Sequence, residues 1–243
     1  HQLKFMSDTL VIIPTYNEKE NVELIIRAVF SQKKAFDILI VDDSSPDGTS
    51  EIVQKLILEF PNRLFLEIRK EKTGLGAAYI HGFKWALEKP YEYIIEMDAD
   101  FSHNPNDLIR LYDECDKNDT DVAVGSRYLD GDINVVNWDI KRILLSYLAS
   151  QYVRLITRIP VKDTTAGFVC YKRNVLETIH LDKIQFVGYA FQIELKYKAW
   201  KRNFKVNEVL IIFTDRIRGK SKMNGSIISE AIFGVLKMTI NGI

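Results

Sequence analysis

Short apolar runs alternate with amphipathic stretches through the first half of the chain. The runs LVIIP at 10–14 and DILIV at 37–41 have the length of buried strands, and turn-forming residues close each one. Between them Val22, Ile25, Ile26 and Val29 recur at helical spacing. The alternation continues with a strand at 64–68, a basic, glycine-containing loop at 70–76 and a helix at 77–87. YIIEM, beginning at Tyr93, predicts a fourth strand and DVAVG at 121–125 a fifth. Thr49 or Ser50 is expected to cap the helix that runs through Phe60. Asn104 followed by Pro105 opens the helix that ends near Lys117. Strands and helices alternating through short links predict right-handed crossovers. The expected class is therefore α/β, with a mostly parallel, doubly wound sheet. No repeat or low-complexity linker breaks the chain, so one domain over 1–243 is expected.

The second half is less regular. Residues 139–157 predict a long helix with a wide apolar face that includes Ile143, Leu144, Leu148 and Leu155. Lys141, Arg142, Arg154 and Arg158 sit near its ends. A helix at 226–240 is apolar over most of its surface. Both faces fit an interfacial helix at a bilayer, and both fit an ordinary core. Strands are expected at 168–171 and 206–213, with helices near 173–179 and 189–201. The loop at 215–225 is polar and carries Arg216, Arg218, Lys220 and Lys222.

Composition narrows the class. A hydrophobic content of 47% with 27% charged residues is that of a globular chain and excludes disorder. The formal net charge of zero hides a split: residues 1–125 carry 14 Lys/Arg and 23 Asp/Glu, and residues 126–243 carry 19 and 10. The halves thus stand at −9 and +9, which fits an acidic, metal-loaded first half and a basic second half facing an anionic partner. Solvated lysines on a helix-rich second half account for the split equally well. Cys115 and Cys170 are far apart without metal-ligand spacing and read as reduced, packed residues. No signal-peptide pattern opens the chain, and no apolar run approaches the roughly 20 residues of a membrane span.

The chemistry concentrates where the fourth strand ends. Asp98 and Asp100 are one residue apart in MDADFSHNP, and in an extended segment both side chains point to one side. Two hard oxygens at the carboxyl end of a strand suit Mg²⁺ or Mn²⁺ shared with a substrate diphosphate; an acidic turn is the plainer alternative. Asp42 and Asp43 end the second strand, where base or ribose recognition and simple turn chemistry compete. Gly74-Leu75-Gly76 precedes a helix start and fits either an anion site or a tight junction. Glu194 is the residue to act as general base if the acceptor is a hydroxyl. His81, His103 and His180 show no ligand spacing and read as structural or surface residues.

Seven stretches taken in order resemble a family 2, GT-A-fold glycosyltransferase of the dolichol-phosphate (polyprenol-phosphate) mannosyltransferase type. They are IIPTYNE, VDDSSPDGT, GLGAAY, MDADFSHNP, GSRY, DTTAGF and RIRGKSK, and they cover nearly the whole chain. The resemblance implies a Rossmann-like donor half over 1–125 and an elaborated acceptor half over 126–243. It implies inverting transfer, most simply of mannose from GDP-mannose to a polyprenyl phosphate, by a peripheral enzyme at the cytoplasmic face of the membrane. A membrane-anchoring partner fits that picture and a nucleic-acid partner does not. By resemblance, Pro14, Tyr16, Glu18, Val41 and Asp43 line the nucleotide pocket, and Asp98, Ala99 and Asp100 hold the metal diphosphate. Arg127, Arg216 and Lys222 bind donor and acceptor phosphates, with Arg142 and Ser146 on the acceptor side. Some relatives place a further metal ligand, Gln, where this chain has Ser102. A transferase using UDP-glucose or a glycan hydroxyl, or a non-catalytic nucleotide-sugar-binding subunit, remains an alternative.

Overall fold

The apolar runs form strands because they are buried on both faces. A computed structural model describes residues 7–129, 131–186, 188, 190–216, 218 and 234–239. Strand β1 (Thr9–Thr15) leads into helix α1 (Val22–Phe30), whose Val22, Ile25, Ile26 and Val29 are all buried. Strand β2 (Asp37–Asp42), helix α2 (Thr49–Glu59), strand β3 (Leu64–Ile68), helix α3 (Leu75–Leu87) and strand β4 (Tyr93–Glu96) follow. A 3₁₀ turn at Pro105–Asp107 precedes helix α4 (Leu108–Lys117), and Asn104 caps it by accepting from the Asn106 N–H at 3.0 Å. Strand β5 (Val122–Ser126), strand β6 (Val135–Val136), helix α5 (Ile140–Thr157), strand β7 (Val169–Lys172) and helix α6 (Arg173–Thr178) come next. Helix α7 (Ala190–Lys201) and strands β8 (Val206–Leu210) and β9 (Phe213–Thr214) follow, and residues 234–239 are helical.

The main sheet has seven strands in the order β3-β2-β1-β4-β7-β5-β8, and β6 pairs with β9 in a small second sheet. All neighbours in the main sheet run parallel except β7, which is antiparallel to both β4 and β5. The strand expected over 206–213 is thus divided: β8 extends the main sheet, and β9 leaves it to pair with β6. Helix α2 is capped by neither Thr49 nor Ser50. Asp47 accepts from both the Thr49 N–H and its hydroxyl, at 3.1 and 2.6 Å, because left-handed Gly48 turns the chain so that Asp47 faces the helix start.

Two apolar clusters sandwich the sheet, one under α3 and α7 and the other under α1, α2 and α4. Helix α3 lies so close to the sheet that a Cβ at Gly82 would stand 2.7 Å from Ile12, and so close to α7 that one at Gly76 would stand 2.7 Å from Phe191. Close packing therefore accounts for Gly76 in the GLG stretch. Helix α5 joins this core along one narrow edge, through Val153 with Tyr152 and Ile156. Only Ser150, Val153 and Thr157 are buried on it, while Ile140, Leu148 and Leu155 are 74%, 56% and 78% exposed. Its apolar face is thus not core. No helix among the described residues is long and apolar enough to cross a membrane. The helix expected over 226–240 lies outside the described residues apart from 234–239.

Candidate active site

Parallel strands bring their carboxyl ends to one edge, and β1, β2 and β4 deliver the acidic residues there. Asp98 and Asp100 follow β4 directly. Asp98 keeps 36% of its side chain exposed, whereas Asp100 is buried. Asp100 accepts from the N–H and hydroxyl of Ser102, at 3.0 and 2.6 Å, and pairs with Arg216 at 2.7 Å. Ser102 is therefore occupied in shaping the carboxylate. Burial alone would raise the Asp100 pKa, but the Ser102 hydrogen bonds and the Arg216 charge outweigh it and hold the group below the usual range. Asp98 moves the other way, raised by desolvation first and by repulsion from Asp100 second.

The residues around this pair hold its geometry. His103 accepts from the Asp98 N–H through Nδ1 at 3.1 Å and stacks on Phe168 with ring centroids 4.8 Å apart. Burial pushes its pKa down to about 4, so the ring is neutral and carries its proton on Nε2. The structural reading of His103 holds, but its place directly behind Asp98 had no signal in the sequence. The Tyr79 hydroxyl donates weakly to Asp98 at 3.4 Å. Glu18 is buried, accepts from the Asn21 amide at 2.9 Å, and adds negative potential at Asp98.

Asp42 and Asp43 separate in role. Asp42 accepts from the Thr15 hydroxyl at 2.7 Å and from the N–H and hydroxyl of Ser45, which is turn chemistry. Asp43 is buried beside Arg69 at 3.2 Å; burial raises its pKa, with the arginine opposing. Tyr16 lies at the end of β1 with the Lys72 ammonium 4.3 Å over its ring. Pro14 is half-buried, and Ala99 is buried beside the two aspartates. The Val41 side chain is fully buried in the core toward Gly82, and none of it faces solvent.

The basic residues are already engaged. Arg127 forks onto fully buried Asp163, with Nε and Nη2 each donating at 2.7 Å, and Nη2 also reaches the Thr165 hydroxyl at 2.9 Å. Asp163 is one of the motif residues in DTTAGF, and its partnership with Arg127 could not be read from spacing. Arg142 pairs with Asp215 at 2.9 Å, and Ser146 accepts from the Tyr128 hydroxyl at 2.7 Å. Lys222 lies outside the described residues. Glu194 is not available as a general base. It is fully buried, accepts from the Gln185 and Phe186 N–H groups, and pairs with Lys198 at 2.7 Å.

A cavity of about 390 Å³ opens beside Asp98. It runs past Arg127 and Arg142 to Leu145, Leu148 and Tyr152 of α5. A polar end thus meets an apolar one.

The chain matches the model of "Glycosyl transferase family 2" over residues 10–180. It belongs to glycosyl transferase family 2. A polyprenol monophosphomannose synthase of Mycolicibacterium smegmatis is 47% identical over 234 residues, 96% of this chain and 88% of that one. An undecaprenyl-phosphate mannosyltransferase of Micrococcus luteus is 39% identical over 228 residues, 94% and 92% of the two chains. The fold also matches a solved glucosyl-3-phosphoglycerate synthase of Mycobacterium tuberculosis, in complex with Mn²⁺, UDP and glucosyl-3-phosphoglycerate. The TM-score is 0.68 at 15% identity, covering 97% of this chain and 80% of that one. The GT-A-like α/β architecture and the glycosyltransferase class expected from the motifs are both borne out. The matched region contains Asp98, Asp100 and Arg127.

Proposed function

We propose that this glycosyltransferase moves mannose from GDP-mannose to the phosphate of a polyprenyl lipid, with inversion at the sugar carbon. The observation that carries the reading is the cavity that joins Asp98 to the apolar side chains of α5 past two arginines. A ligand that is sugar diphosphate at one end and hydrocarbon at the other matches that gradient. The names of the relatives, which are a polyprenol monophosphomannose synthase and an undecaprenyl-phosphate mannosyltransferase, support the same substrate class.

The carboxylate pair suits a divalent cation. Asp98 faces the cleft, and desolvation, then repulsion from Asp100, pushes it toward its protonated form, a tendency that a bound cation would oppose. No cluster of three or more His, Cys, Asp or Glu among the described residues is arranged for a metal. Two carboxylates alone leave most positions to diphosphate and water, as is usual for Mg²⁺ or Mn²⁺ at a nucleotide site. When bound, the cation neutralises the charge that develops on the leaving diphosphate.

The remaining work falls to this chain. Asp43 and Tyr16 stand at the strand ends to meet the nucleoside, and His103 holds the main chain of Asp98 in place. Arg127 and Arg142, with Ser146 of α5 beside Tyr128, orient the acceptor phosphate. A phosphate monoester has a second pKa of about 6 and is mostly dianionic at neutral pH, so it attacks without a general base. The burial of Glu194 agrees with that economy, since a hydroxyl acceptor would need a base there. The exposed apolar face of α5 lies along the bilayer, with Lys141 and Arg154 toward the headgroups.

The test is a donor-by-acceptor matrix offering GDP-mannose, UDP-glucose and UDP-N-acetylglucosamine against polyprenyl phosphate and free sugars. Metal-dependent mannosyl transfer from GDP-mannose to the lipid phosphate is expected. Transfer confined to free sugars would overturn the acceptor, and a preference for a UDP-sugar would overturn the donor.

A further inference from the structure

The two acceptor-side arginines share a feature with no assigned role. The strand β6 ends at Val136, and Asn137 adopts a left-handed φ of 63°, which turns the chain just before Asp139 caps α5. Trp138 occupies that turn and points into the cavity wall. Its ring lies 4.1 Å from the Arg142 guanidinium carbon and 5.4 Å from that of Arg127. Phe213 meets it edge-on, with centroids 5.2 Å apart, and is itself 5.5 Å from the Arg127 guanidinium.

One indole thus contacts two guanidiniums from different elements. The negative face of an aromatic ring attracts a cation, and tryptophan does so best. Like charges that would otherwise repel are held near one another, each with a carboxylate partner of its own, Asp163 or Asp215. The indole N–H, by contrast, is shielded and has no hydrogen-bond partner among the described residues. Buried tryptophans normally find one, so the fold alone would be better served by phenylalanine here. What the indole adds is its ring face.

We propose that Trp138 is a positioning residue for the acceptor: it sets Arg127 and Arg142 at the spacing that receives one phosphate monoester. The inference rests on the lipid-phosphate reading above. The phosphate in question is the acceptor's, because the wedge stands at the start of α5 beside Arg142, while the donor diphosphate belongs with Asp98 and Asp100.

The experiment compares wild type, Trp138→Phe and Trp138→Leu by calorimetry. Farnesyl phosphate serves as the acceptor probe and GDP as the donor probe with Mn²⁺, and thermal melting is measured alongside. Farnesyl phosphate affinity should fall in the order Trp, Phe, Leu, with roughly a tenfold loss for leucine as two cation–π contacts vanish. GDP affinity should stay within twofold, and Trp138→Phe should melt no lower than wild type. If both variants bind farnesyl phosphate as wild type does, the positioning role is wrong and the lipid-phosphate reading stands. Equal losses for both probes would make Trp138 merely structural and also overturn the proposal. If wild type binds GDP and fails to bind farnesyl phosphate, the lipid-phosphate reading falls and the inference with it.

Discussion

Asp163 has no exposure, and Arg127 sits over it as a fork. Burial would raise its pKa, but the arginine's charge and hydrogen bonds prevail and lower it below 3.8. A depressed carboxylate stabilises the fold above its unfolded pKa and loses that contribution as pH falls through the folded value. Asp163→Asn should therefore cost about 3–5 kcal/mol at pH 7, the usual result of breaking a buried pair, and the deficit should shrink toward pH 3 in denaturant titrations. A deficit that does not change with pH would mean that packing, not charge, explains the loss. Arg127 entered through the resemblance carried by GSRY, and Asp98 and Asp100 through their spacing in MDADF, although β4 ends at Glu96 and the pair lies beyond it. Asp163, 36 residues from Arg127, was legible only as part of a motif. The same limit hid the link between His103 and Asp98. A histidine without ligand spacing gives no sign that its Nδ1 will meet a main-chain N–H.

At the scale of elements, periodicity carried far in the first half, where each strand crosses to a parallel neighbour and each helix has one buried stripe. It failed where these simple conditions lapse. Strand β7 runs antiparallel to both of its neighbours, and nothing in its short run of residues records strand direction. Helix α7 buries Glu194, Lys196 and Lys198 together with its apolar residues, so its polar positions do not mark a solvent face. The Lys196 ammonium survives burial by donating to the Ala166 and Gln192 carbonyls at 2.7 and 2.8 Å, although its pKa drops to about 8. Helix α5 shows the opposite pattern, with apolar residues left outside. Leu148→Asp combined with Leu155→Asp should abolish co-flotation with anionic liposomes at low salt, with melting unchanged within a degree or two. Retained flotation would detach α5 from the membrane role proposed for it.

Across the whole molecule, the −9 and +9 halves meet in one sheet, because β7 from the second half inserts between β4 and β5 of the first. The contact between Arg216 and Asp100 is where the two signs touch in the site, 116 residues apart in sequence. Arg216 thus occupies the carboxylate that a divalent cation would use and is also a group that a substrate phosphate would want. Binding at the two places is then linked. If Asp100 turned to a cation, the guanidinium would be freed for the phosphate, and if the phosphate drew the guanidinium away, Asp100 would be open to the cation. Linkage requires each ligand to tighten the other by the same factor. Mn²⁺ titrations with and without farnesyl phosphate should therefore show cooperative binding in wild type. Arg216→Ala should bind Mn²⁺ more tightly, lose the cooperativity, and transfer about a hundred- to a thousandfold more slowly. Looser Mn²⁺ binding in that variant would contradict the account. A single salt bridge would then weaken each ligand alone and favour the two together, a soft AND gate written in charge.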